Sequence, residues 1–298
     1  MKIIISRKGL DSSFGTTPSP ILPDGRLCWL PIPEKTSYKP TLPTYNDLAF
    51  DGICLGTMIE ELSNSRIRGT DTTHLDPDLF HGYRARLPGW RPAFGQAGAA
   101  ESHLRRQNVG PGDIFLFFAW FREAQRVNGK WQFAPRARDL HVLFGWLQID
   151  ERTEFDLNNE CLPFGEPRPV PDWMKQHPHL IGERYGPLDV VYTSTRNLVI
   201  NGEPSRIRGA GLFPRRTTAT TLTDENQSRS IWRLPRWFFP SSGRPPLSYH
   251  EKEDRWNIDG DNTILRVASR GQEFVLDADK YPEATSWLQE LFYNGVGL

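Results

Sequence analysis

Apolar residues fall along this chain in short runs punctuated by Pro, Gly, Asn and Asp, a pattern that predicts many short strands and few helices. Two runs dominate. Ile114-Phe115-Leu116-Phe117-Phe118-Ala119-Trp120-Phe121 follows the turn Gly110-Pro111-Gly112-Asp113 and is apolar throughout, as a fully buried strand is. Residues 141–149 repeat the pattern after the hairpin turn Asn128-Gly129, so the two runs are expected to pair in one antiparallel sheet, with a short strand at 131–133 between them. Shorter strands are expected at 3–5, 189–192, 198–200, 212–213 and 274–276. Pro23-Asp24-Gly25 and Asn201-Gly202 mark further turns. Helices are expected at 57–62, in the small-residue stretch 97–104, and at 282–293, where Ala284, Trp287, Leu288 and Leu291 recur at helical spacing. The fold class read from this is α+β: a strand-rich mixed or antiparallel core with a few peripheral helices and long Pro-rich loops. It is read as a single unit over 1–298, with a sub-core boundary near the Pro-rich, acidic stretch 150–171.

Composition narrows the function classes. The 298 residues include 25 Pro, 10 Trp and 17 Phe, which suits a folded, loop-rich protein with large aromatic anchors. The 36 basic and 36 acidic residues cancel, which argues against broad non-specific coating of nucleic acid and leaves room only for a local basic patch. Cys28, Cys54 and Cys161 are odd in number and far apart, so no disulfide framework or CxxC metal knuckle is expected and a reducing, cytoplasmic setting fits. Three apolar residues at the N-terminus fall short of a secretory signal, and no run approaches the ~20 residues that span a bilayer, so no membrane partner is expected.

Several polar stretches are candidates for chemistry. Arg7, Lys8, Asp11, Ser12 and Ser13 trail the first strand, where cations and free N–H groups can hold a phosphate or carboxylate; the competing reading is a solvated turn capped by Asp11 and Ser12. His74, Asp76 and Asp78 form H-x-D-x-D, one imidazole and two carboxylates of the kind that bind Mg²⁺, Mn²⁺ or Fe²⁺. Against this stands a capping reading, in which Thr73 or Asp76 starts a short helix at Pro77. Asp11, His74 and Asp76 are the catalytic candidates. Trp90 and Arg91 can stack on a base, and the Gln96 amide suits a base edge. The stretch Phe94-Gly95-Gln96-Ala97-Gly98 can cradle an anion or simply pack closely. Trp146 and Gln148 share parity with Phe144 and, with His141, are expected to line a base-sized pocket, the alternative being that His141 is a buried, satisfied core residue. His177-Pro178-His179 offers two imidazoles, but a pair one residue apart does not by itself close a metal site. Arg206, Arg208, Arg215, Arg216, Arg229, Arg233 and Arg236 interleave with Trp232, Trp237, Phe238 and Phe239, the pattern of a surface facing nucleic acid.

The residues from Lys2-Ile3-Ile4-Ile5-Ser6-Arg7-Lys8-Gly9 to Ser13, then Pro18-Ser19-Pro20-Ile21, Gly89-Trp90-Arg91-Pro92 and Phe94-Gly95-Gln96, resemble the third class of nucleotide-modification-associated domains, of phages and bacteria. Gly112-Asp113 with its apolar strand, and 141–146, extend the resemblance to about His179. It implies a role with nucleotides or modified bases in a DNA-modification system, in the host cytoplasm if the chain is phage-encoded, and brings no catalytic residues with it. Gly112-Asp113 and Phe144-Gly145-Trp146 carry a weaker similarity to small barrels of the PUA, ASCH and EVE type, which hold bases in aromatic-walled pockets. The reading that follows is a nucleotide- or base-directed protein. Its enzymatic form is a metal-assisted hydrolase or transferase using Asp11, His74, Asp76 and Asp78 with a divalent ion, and nucleic acid is a second partner class. The alternative is a non-catalytic interaction protein with an aromatic-rich surface. The reading rests on one geometric expectation, that the loop 7–13 and the turn 74–78 converge over a shared aromatic sheet.

Overall fold

In the computed structural model, which describes residues 1–11, 16–34, 42–155, 169–181 and 189–296, the two apolar runs become the longest strands, Ile114–Val127 and Leu140–Phe155. They pair antiparallel from Leu140↔Phe121 to Gln148↔Ile114. Asn128 at φ 52° and Gly129 at φ 82° turn the first of them into Lys130–Phe133, and Asn201 and Gly202 repeat the geometry at φ 55° and 78°, as type I′ hairpin turns require. The opening strand Lys2–Arg7 lies parallel to Ile114–Val127 and antiparallel to Glu273–Asp277. On the other side Leu140–Phe155 carries Asp189–Ser194, which carries Ala93–Gln96 at the edge. The N- and C-terminal parts of the chain therefore meet in one sheet, and the buried core runs from Ile3 to Phe292.

The sheet is mixed, curled and open, so the fold is α+β and the barrel form of the expectation is not met. The curl brings the two edge strands close enough for Gln96 Nε2 to donate to Glu273 Oε1 at 2.7 Å, and Lys8 Nζ reaches the same oxygen at 2.9 Å. Side chains, not a backbone ladder, join the edges among the described residues. The helix Gly98–Arg106 packs against both Glu273–Asp277 and Asp189–Ser194, covering this seam. The helices Leu55–Leu62 and Glu283–Val296 lie near the positions their periodicity predicts, the second burying Ala284, Leu288, Leu291 and Phe292. Among the described residues no helix is long and apolar enough to cross a membrane.

A register shift between Leu143 and Gly145 changes what the second long strand presents. Phe144 falls in the bulge and stacks on Trp29 at 5.1 Å, whereas Trp146 turns the other way onto Phe213 and Phe292. The shared parity of Phe144 with Trp146 and Gln148, read from an unbroken strand, is thereby overturned. The expected base pocket is filled by protein. His141 Nδ1 accepts a hydrogen bond from Trp232 Nε1 at 3.0 Å, Trp146 Nε1 donates to the Arg208 carbonyl, and Gln148 is spent on Gly112 and Val199.

The fold also holds imidazoles that must stay neutral. His250 Nδ1 donates to the Ser248 carbonyl and Nε2 accepts from the Ala268 N–H, both at 2.9 Å, and burial pushes its pKa down to about 4. Because the unfolded chain binds this proton near pH 6.5 and the folded chain does not, stability is full above that pH and is lost as pH falls from about 6.5 towards 4, by at most about 3 kcal/mol from this residue. Burial holds His141 low as well, with the same sign. Thermal melts should show the midpoint falling between pH 7 and 5, and His250→Gln should flatten that slope; a slope unchanged in the variant would remove His250 as its source.

Candidate metal centre

The edge strand Ala93–Gln96 has one side paired to Asp189–Ser194 and one side bare, so its outward backbone groups need partners. The segment 76–78 supplies them. Asp78 N–H donates to the Ala93 carbonyl at 2.9 Å, Ala93 N–H donates back to the Asp78 carbonyl at 3.1 Å, and Gly95 N–H donates to Asp76 Oδ1 at 2.8 Å. No helix starts at Pro77, which overturns the capping reading; His74 belongs instead to the strand Thr73–His74, paired with Ile32–Pro33 in the register Ile32↔His74. That register places Glu34 beside His74, with Glu34 Oε2 at 3.1 Å from His74 Nδ1.

The same edge receives the second imidazole pair. Pro178 opens a short 3₁₀ turn, Pro178–Leu180, that packs on Ala93–Gln96 and Asp189–Ser194. Gly95 makes room for it: a Cβ there would lie 2.2 Å from His179 Cδ2 and 2.8 Å from His177 Cε1. The outcome is a buried cluster in which His74 Nε2 stands 3.8 Å and His179 Nε2 3.6 Å from Asp76 Oδ2. One donor atom from each of His74, Asp76 and His179 lies within 4.8 Å of the others. Ligands held about 2.1 Å from one ion sit roughly 3.0 to 3.4 Å apart, so the two histidine–Asp76 separations are a few tenths of an ångström too long, and the donors would have to draw together to share an ion.

The outer contacts fix which nitrogens face inward. His74 Nδ1 meets Glu34, and His179 Nδ1 faces Asp189 Oδ1 at 3.5 Å, so each imidazole presents Nε2 to the centre with a carboxylate behind it, the arrangement that orients and strengthens histidine ligands. His177 differs. Its Nδ1 accepts the His179 N–H at 3.3 Å, which leaves the proton on Nε2, and that nitrogen faces Asp76 Oδ1 at 3.4 Å. His177 and Gly95 thus both address Oδ1, and Oδ2 is left to the centre.

Electrostatics favour a cation here. Burial alone would raise the Asp76 carboxyl, but His177, His179 and His74 outweigh it and hold the group well below the usual carboxylate range. Burial lowers His177; it opposes the proton on His179 too, but Asp189 and Asp76 prevail and raise it. Asp76, Asp189 and Glu34 place three carboxylates in one region with side-chain exposures of 4%, 0% and 5%. Both Asp189 oxygens are buried, and His179 Nδ1 faces Oδ1 at 3.5 Å, longer than a good hydrogen bond. Buried carboxylates are costly unless paired, and here the imidazoles of His74, His177 and His179 stand against Asp76.

Other residues singled out from the sequence are engaged elsewhere. Asp78 forms a two-pronged ion pair with Arg86 and accepts from Trp90 Nε1, with Arg86 4.3 Å over the Trp90 ring, so Asp78 and Trp90 are spent on each other's surroundings and Asp78 is not among the clustered donors. Arg91 bonds Asp150 and the Ser194 carbonyl. Gln96 is taken up by Glu273 and the Ala97 N–H. Arg7 donates to the Ala268 and Ser269 carbonyls between the Phe118 and Phe274 rings, and Lys8 lies 4.4 Å over Phe94. The Asp11 carbonyl accepts the Thr16 N–H, and Ser12 and Ser13 lie outside the described residues. Lys8 and Asp76 address opposite faces of the edge strand Ala93–Gln96, so the described part of loop 7–13 and the turn 74–78 do not share one surface. Successive strand residues face opposite ways, so Gly95 addresses the histidines while Gln96 addresses Lys8 and Glu273. Glu34 and Asp189 had escaped sequence reasoning, and Gly95 was read only as part of an anion cradle or a close-packed stretch. An Asp opening the apolar run Asp189-Val190-Val191-Tyr192 was the signal available.

A curled α+β sheet with two imidazoles and a carboxylate gathered on one edge defines a protein with a candidate single-ion centre. The model of the family described as nucleotide modification associated domain 3 matches residues 2–277, and the chain belongs to that family. No curated protein and no solved structure matches it.

Two substitutions probe the centre. Gly95→Ala should displace His179 and abolish tight divalent-ion binding in calorimetry. Asp189→Asn should weaken it about 10- to 100-fold, and affinity equal to the parent in both variants would show that the cluster does not hold the ion.

Proposed function

We propose that this protein is a metal-dependent enzyme acting on a nucleotide or base, with His74, Asp76 and His179 holding one divalent ion. The observation that carries the reading is the convergence of three donor atoms from two distant segments, each histidine backed by its own carboxylate. Two imidazoles and one carboxylate leave coordination positions open, as in non-haem iron centres and in catalytic zinc sites. Such an ion supplies an activated water or a site for a co-substrate. The chain's own part is to hold Asp76 through Gly95 and His177, to set the two tautomers through Glu34 and Asp189, and to keep the centre buried beneath the edge strand. Membership of a nucleotide-modification family supports a nucleotide or base, free or within a nucleic acid, as the substrate, and a phage or bacterial modification system as the setting.

The donor set separates this enzyme from the version built on Asp78. Elemental analysis of the purified protein should find about one iron or zinc per chain, lost in His74→Ala, Asp76→Ala and His179→Ala together with turnover of nucleotide substrates. Asp78→Ala should instead keep the ion and cost about 3 to 5 kcal/mol of stability, because it strands the buried Arg86 guanidinium. Metal retained by the three ligand variants, or lost only with Asp78, would overturn the assignment.

A further inference from the structure

A second site lies well away from the ion. The turn 136–140, the threonine-rich stretch 217–223 and the strand Ile231–Pro235 enclose a cleft of about 810 Å³, within the usual range for a ligand pocket and large enough for one nucleotide unit. Four arginines, Arg136, Arg138, Arg216 and Arg233, line it against two glutamates, Glu123 and Glu225. The arginines are not equally free. Arg216 is paired with Glu123, and Arg233 with Asp224 and Asp259. Arg138 donates only to the Asp224 and Gln227 carbonyls, and Arg136 is exposed at φ 61°; neither has a carboxylate within ion-pair distance among the described residues. Two guanidinium groups without an ion-pair partner among the described residues, beside threonine hydroxyls and with Leu140 and Trp287 also in the lining, suit a phosphate with an attached flat, apolar group. Arg138 also borders a neighbouring depression that includes Arg229, whose guanidinium lies 4.1 Å over Trp120. That depression also includes Asp139, which is paired with Arg122, so arginines continue past the cleft mouth, as along a track for a strand.

The cleft and the ion centre share no residue, and they lie towards opposite ends of one strand. Leu140 opens the 16-residue strand Leu140–Phe155 and lines the cleft, while Phe155 at its far end is in register with Asp189, which backs His179. Fifteen steps of roughly 3.3 Å make a path of about 50 Å along the strand, shortened through space by the curl. A single nucleotide does not reach from one to the other. A strand, repeating about every 3.4 Å per phosphate or more when extended, does. We infer that the cleft binds the phosphates of a single-stranded nucleic acid, so that the substrate of the proposed ion centre, on which this inference rests, is a base within a polymer and not a free nucleotide.

Fluorescence anisotropy with a labelled single-stranded DNA of about 20 nucleotides tests this, a length of several ~4–16-nucleotide sites. The full chain should bind the oligonucleotide in low salt and should not be displaced by an equal concentration of mononucleotide. Arg136→Glu with Arg138→Glu should weaken binding at least tenfold and reduce the salt dependence by about 0.7 for each phosphate that is no longer neutralised, while leaving metal content unchanged. Absence of oligonucleotide binding, or binding indifferent to the two substitutions, overturns the inference. The metal content of the parent reports separately on the ion centre, so loss of ion with strand binding intact condemns only the centre. Retained turnover on free nucleotides by the double variant, with turnover on strands also unaffected, counts against a polymeric substrate.

Discussion

The candidate site depends on the bare side of one edge strand. Ala93–Gln96 has outward N–H and C=O groups that no neighbouring strand takes up, and the segment 76–78 docks there because it can satisfy them. One of those contacts, Gly95 N–H to Asp76 Oδ1, is also what aims the Asp76 carboxylate. Fold and chemistry meet in that hydrogen bond. It further requires a residue with no side chain, since the space a Cβ would take is occupied by His179 and His177.

The rest of the sheet is built to hold that edge in place. Aromatic side chains pack through its inner face, Phe94 edge-to-face with Phe115 and Phe117, Tyr192 stacked on Phe94, and Phe144 stacked on Trp29. Tyr192 is anchored again through its hydroxyl, which donates to the fully buried Glu101, itself paired with Arg152. This network ties the helix Gly98–Arg106 to the strand that begins at Asp189. Rigid packing on both sides of the edge strand allows the imidazole tautomers to be set in advance, so that an ion would meet ligands already oriented.

The two surfaces of the edge strand have been given different work. On one face, Lys8, Gln96 and Glu273 close the seam of the curled sheet with buried polar contacts. On the other, Gly95 admits the histidines. Basic residues trailing the opening strand therefore serve the architecture, while Arg136 and Arg138, just before the second long strand, have no ion-pair partner among the described residues.

Local patterning determined the two long strands, the I′ turns at Asn128-Gly129 and Asn201-Gly202, the C-terminal helix and the α+β class, because each depends on neighbours a few residues apart. It also exposed half of the centre, His74 and Asp76, and offered His177 and His179 without a use for them. What it lacked was distance. His74 and His179 are separated by about a hundred positions, and only the curl of the sheet and the docking of 76–78 on its edge bring two incomplete ligand pairs together. Asp78 was as good a ligand as Asp76 in the linear pattern. The tertiary structure alone separates their surroundings, giving one a buried guanidinium and the other two imidazoles. Likewise the bulge at Phe144 reversed a parity that an unbroken strand would have kept, because a register shift is settled by packing across strands and leaves no mark on the strand's own composition.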